Sequence, residues 1–157
     1  MRRAVPLLLL PLVLAACGGS DSSSGTTTTL GAPSPAQFVD AGNAVCKASD
    51  ERIFKIGRLS RDPKGWAATA KSARKAVVDM RKVSPPAARK AAFDEMRRFA
   101  NALSLTIQEI HQALVKNDVD TAAAGQFAAG QLQDKVHRSA RRAGLTFCQQ
   151  ALTTWPA

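Results

Sequence analysis

Across four successive stretches of this chain, apolar residues recur at spacings of three and four, and each stretch opens on a serine or aspartate suited to capping a helix. That periodicity places the apolar side chains on one side of an α-helix; strands would alternate instead. Ser34-Pro35-Ala36-Gln37 spells a capping box with proline at the first helical position. The stripe behind it runs Phe38, Gly42, Val45, Ser49, Ile53, Ile56, and Gly57 closes it. Asp62-Pro63 opens a second helix with Trp66, Ala70, Ala73, Val77 and Met80 inward. Val83-Ser84-Pro85-Pro86 must break it, because a residue before proline is pushed out of the helical region.

Ser84-Pro85 is expected to cap the third and longest helix, with its stripe at Phe93, Met96, Ala100, Leu103, Ile107, Ile110 and Leu114. Asn117-Asp118 ends it, and Asp118 caps a fourth helix with a narrow face of Ala122, Gly125, Ala129, Leu132, Val136, Ala140 and Ala143. Gly144 followed by Leu145 has the form of a Schellman stop. Four amphipathic helices with short links predict an all-α fold, an antiparallel four-helix bundle occupying residues 34–157. Leu105 and Phe127 fall off the stripes. The C-terminal segment Leu145, Phe147, Leu152, Trp155 is expected to cover one of them in part, an exposed binding patch being the alternative. The chain lacks tyrosine and has only 5% aromatic residues, so the core is thin and a covalent staple would help it.

The first 16 residues differ in kind. Met1-Arg2-Arg3 is a short cationic start, and Ala4 to Ala16 carries no charge. That is the shape of a secretory signal; a membrane span needs about 20 apolar residues, and Pro6 and Pro11 interrupt this one. The run ends in Leu14-Ala15-Ala16-Cys17. This tetrapeptide resembles the lipobox of bacterial lipoproteins. The resemblance implies a diacylglyceryl group on the Cys17 thiolate, cleavage between Ala16 and Cys17, and a protein lipid-anchored on the extracytoplasmic face of the cell membrane. Two acyl chains give stable anchoring where one binds reversibly. Residues 17–33, rich in Gly, Ser and Thr, then form a flexible linker. Such a chain spans roughly 20–25 Å on average.

With Cys17 lipidated, an even pair remains, Cys46 and Cys148. In an exported protein they are expected to form a disulfide tying the first helix to the C-terminal segment, two free buried thiols being the alternative. The region from Phe38 to Cys148 also resembles small all-helical lipoproteins of high-GC bacteria. Those pair a first-helix cysteine, here in Asn43-Ala44-Val45-Cys46, with one after a Gly-Leu near the end, here Gly144-Leu145-Thr146-Phe147-Cys148. That resemblance carries no catalytic residues.

The formal charge is +10; once Arg2 and Arg3 leave with the signal, 22 − 2 basic residues face 12 acidic ones, or +8. A basic excess favours polyanions. The implied compartment disfavours nucleic acid and favours anionic lipid headgroups or an acidic envelope polymer, met by the second-helix face of Lys64, Lys71, Arg74, Lys75, Arg81 and Lys82.

Catalytic constellations are sparse. Ser72-Ala73-Arg74-Lys75 spells S-x-x-K, the nucleophile motif of penicillin-interacting enzymes, but no Ser-Asp-Asn or Lys-Thr-Gly partner accompanies it. Asp134 and His137 sit three apart, as in bundle metal sites, which need further inward carboxylates and a second histidine motif. His111 is the one other histidine, and Glu109 lies off its stripe. No metal, no cofactor and no catalysis are expected. The sequence reading is a non-catalytic, membrane-tethered interaction or structural module of the cell envelope. A small-ligand carrier with an apolar pocket in the bundle is the alternative.

Overall fold

A computed structural model describes residues 33–57 and 62–149. The described residues form four helices, α1 (Pro35–Ile56), α2 (Pro63–Met80), α3 (Ala87–Val115) and α4 (Val119–Ala143), followed by a 3-10 turn at Phe147–Gln149. No strand occurs among the described residues. The fold is the antiparallel four-helix bundle that the periodicity predicts, with Cys46 and Cys148 bonded across a Cα–Cα distance of 5.2 Å.

The helix ends follow their capping chemistry. Ser34 accepts a hydrogen bond from the Gln37 amide while the Gln37 side chain accepts one from the Ser34 amide, the reciprocal box that satisfies two orphan donors. Asp62 accepts from the amides of Lys64 and Gly65, and Asp118 from that of Thr121. At the end of α4, Gly144 takes a left-handed conformation with φ 77°. Its amide donates to Arg141 and that of Leu145 to Ala140, the paired bonds of a Schellman stop. Above Gly144 the Arg89 guanidinium donates to the Ala143 carbonyl at 2.8 Å, in the space a Cβ would need.

The third helix begins later than expected. Its N-cap is Pro86, with no side-chain cap bond, and Ser84 lies outside the helix. Pro86 forces Pro85 into extended backbone, so no helical turn can start until after Pro86, which itself has ψ 154°.

Two clusters fill the interior. One gathers Phe38, Met80, Phe93, Met96, Val136 and Leu145, with the Phe38 and Phe93 rings edge to face at 5.1 Å. The other holds Trp66, Leu103, Ile107 and Ile110 against Ala122 and Ala129. The most extensive helix contact is α3 with α4. It rests on the small residues of α4: at Gly125 an added Cβ would lie 2.7 Å from Ile110 Cγ1. α1 packs on α2 and on the 3-10 turn, and among the described residues its backbone approaches neither α3 nor α4 closely.

Residues 145–149 turn inward rather than over the outer helix faces. Leu145 is fully buried, in the space that Gly42 leaves on α1. Asn43 accepts from the Phe147 amide at 2.9 Å and reaches the Thr146 hydroxyl. Leu145 and Phe147 thus leave Leu105 and Phe127 uncovered, 52% and 73% exposed. Leu152 and Trp155 lie outside the described residues.

Candidate functional site

Helical spacing brings Lys64, Lys71 and Lys75 of α2 into one outward stripe about 17 Å long at 1.5 Å per residue, while Arg81 and Lys82, expected on the helix, lie in the turn just past its end at Met80. Arg74 and Arg81 flank it on the side of α3, and all six are exposed. Lys75 and Lys82 both bind Asp79, at 2.9 and 3.1 Å. Those hydrogen bonds, from Lys75 first and then Lys82, hold the Asp79 carboxyl below the usual range. Arg74 donates to Gln108 of α3 at 3.3 Å. Among the described residues no ion pair neutralises Lys64, Lys71 or Arg81. Half-exposed Val78 stands within this face. The face offers distributed positive charge and one apolar contact, which suits an extended anionic surface.

Sequence reasoning missed what lies along its α3 edge. There Arg81, Arg97, Arg98, Asn101 and Asp94 surround a groove of about 350 Å³. The adjacent arginines of α3 were visible as sequence, but their meeting with Arg81 depends on the α2/α3 register.

An apolar cavity of about 80 Å³ lies beneath α1, bounded by Val45, Ile53, Val77, Leu103, Ile107 and the disulfide, with Ser49 as the one hydroxyl among the described residues of its wall. It brings together residues of all four helices and sits between the two core clusters.

The remaining candidates separate. Ser72 is buried and its hydroxyl accepts from Arg52 Nε of α1 at 3.2 Å, while Lys75 is occupied with Asp79, so the S-x-x-K residues make no nucleophile–base pair. Arg52 Nη2 is buried with no hydrogen-bond partner. His137 is half-buried on α4, with Nε2 likewise unpartnered. Burial depresses its pKa, Asp134 opposes that and Arg141 adds to it. His111 is half-buried on α3 and Glu109 exposed. Among the described residues no three His, Cys, Asp or Glu side chains gather closely enough to hold a metal ion. No described helix is long and apolar enough to cross a membrane. Leu14 to Cys17, with the cleavage and lipidation positions Ala16 and Cys17, lie outside the described residues.

No protein-family model, curated protein or solved structure matches this chain.

Proposed function

We propose that this protein is a lipid-anchored module of the bacterial cell envelope, held to the membrane through Cys17 on its extracytoplasmic face, and that it binds rather than catalyses. The observation that carries the anchoring is the tetrapeptide Leu14-Ala15-Ala16-Cys17 behind an uncharged run. A Cys46–Cys148 disulfide supports an oxidising compartment, where such bonds persist. The binding surface is the α2 face, whose lysine stripe meets anionic lipid or an acidic envelope polymer. Mass spectrometry of the protein from its own host tests the anchor: diacylglyceryl at Cys17 is expected, and an unmodified thiol there ends the reading. Lys64→Gln with Lys71→Gln tests the face. The pair should weaken binding to anionic vesicles about thirtyfold, since each basic residue near such a surface contributes about 1 kcal/mol, and unaltered binding removes this role for α2.

The cavity supports a second reading, a carrier of a small apolar ligand. Ligand pockets run to about 300–1,000 Å³, and an engineered cavity of about 150 Å³ takes benzene. At about 80 Å³ the cavity admits a carried molecule only if α1 lifts. A ligand extracted with the purified protein and raising its melting temperature would favour the carrier.

A further inference from the structure

The groove at the α2/α3 seam has the chemistry of a phosphate site. Arg81 and Arg98 are exposed and form no ion pair among the described residues. Arg97 is held in place, its guanidinium 5.9 Å from the centre of the Phe93 ring and 3.6 Å from Asp94 Oδ1. Among the described residues Asp94 is the only carboxylate lining the groove, and Lys90 already binds its other oxygen. Hydrogen bonding from Lys90 keeps it ionised to lower pH than usual. Three arginines therefore line the groove beside one largely neutralised carboxylate, with Asn101 as a further donor and Val77 and Met80 as its apolar lining. Arginine's planar fork matches the oxygens of a phosphate, where lysine supplies only a point charge.

Position decides which phosphate. The groove lies along the early turns of α3, next to Phe93, which packs on Phe38 in the first turn of α1. It is thus in the half of the bundle that holds the start of α1, the described end nearest in sequence to Cys17. Val78 and Leu105, each about half exposed, stand on the outer faces of the same two helices. Cationic side chains interleaved with exposed apolar ones form a membrane-interface surface. We propose that this groove binds the phosphate headgroup of an anionic phospholipid and so fixes the orientation of the bundle on the bilayer. The proposal rests on the envelope-module reading and names the ligand of its basic face.

The test uses the full chain carrying Cys17→Ser, so that no acyl group masks weak binding. Affinity for phosphatidylcholine vesicles is subtracted from affinity for vesicles that also contain phosphatidylglycerol, which cancels any contribution of the apolar residues 1–16. Arg81→Gln with Arg98→Gln should weaken the difference about fivefold per arginine and about thirtyfold together. Arg138→Gln with Arg141→Gln removes the same charge from the exposed face of α4 and should weaken it far less. Equal losses in the two pairs would reduce the effect to diffuse charge and overturn the groove. If the Arg81/Arg98 pair binds like the parent while the Lys64/Lys71 pair weakens, the groove falls and the α2 face stands; if neither weakens, both fall. Inorganic phosphate at matched ionic strength should not displace the protein from vesicles. Phosphate binding that depends on Arg81 and Arg98, without selectivity for the anionic vesicles, would overturn the lipid assignment. Circular dichroism of each variant verifies that these surface changes leave the helices intact.

Discussion

Reducing the Cys46–Cys148 bond should cost this domain a large part of its stability, and the structure sets the scale. The two cysteines are 102 residues apart in sequence, so the bond closes nearly the whole bundle into one loop. In the chain-entropy picture, a cross-link across about 100 residues stabilises by about 4.7 kcal/mol, by restricting the unfolded chain. Domains of this size have about 5–15 kcal/mol in all. Reduction leaves both sulfurs in place, so it isolates the cross-link from the packing. Replacing both cysteines by alanine also deletes the Cys148 sulfur, 2% exposed within the main core cluster, for about 1 kcal/mol more. The expected order is oxidised, then reduced, then Cys46→Ala/Cys148→Ala. Guanidinium unfolding followed by far-UV circular dichroism measures all three. At about 4 °C per kcal/mol, reduction should lower the melting temperature by about 15–20 °C. A reduced protein within about 1 kcal/mol of the oxidised one would refute the reasoning: Phe38, Asn43 and the Gly42–Leu145 contact would then hold α1 without the bond.

Two glycines of α4 should respond to alanine with opposite signs in chemical denaturation. Gly125→Ala, 2.7 Å from buried Ile110, should destabilise by about 1–3 kcal/mol, whereas Gly130→Ala, with nothing within 4 Å, should gain up to about 1 kcal/mol of helix propensity. Asn43→Ala removes the acceptor of the Phe147 amide and should cost about 1 kcal/mol, with faster hydrogen exchange at that amide. His137 has a folded-state pKa below its ordinary 6.5, so the unfolded chain binds the proton first and stability should fall as pH drops from above 6.5 through the folded-state value. His137→Gln should flatten that slope in melting curves taken across the window, and an unchanged slope would show that another group sets it.

Local chemistry made much of this fold legible. Both ends of α1 and the start of α2 could be read because Ser34, Gln37, Gly57 and Asp62 act through bonds to their own neighbours. The lysine stripe of α2 followed from helical period alone. The start of α3 was misplaced because Ser84-Pro85 has the form of a cap, while the restriction that matters comes from Pro86 one residue later. Gly42 was assigned to the inner stripe, yet only tertiary structure reveals that its missing side chain makes room for Leu145. Ser72 resembled a nucleophile by spacing and proved to be a buried acceptor for Arg52. The seam groove was hidden for the same reason: Arg81, just past the end of α2, and Arg98 of α3 are 17 positions apart, and only the packing register of the two helices makes them neighbours.

The packing is asymmetric, and the asymmetry separates the two functional readings. Small residues let α4 approach α3 closely, and α2 joins α3 through Trp66, Ala70 and the Arg74–Gln108 bond. Neither α3 nor α4 offers α1 such an approach among the described residues. The gap beside α1 is closed instead by Leu145, the 3-10 turn and the disulfide. The basic face and the seam groove belong to the closely packed α2–α3 pair, so their spacing is fixed by helices that need not move, as recognition of a surface requires. The cavity lies under the strapped helix, and enlarging it means displacing α1 against the bond from Cys46 to Cys148. A carrier would therefore gain ligand capacity when that bond is reduced, whereas binding through the α2–α3 face should survive reduction in any molecule that stays folded.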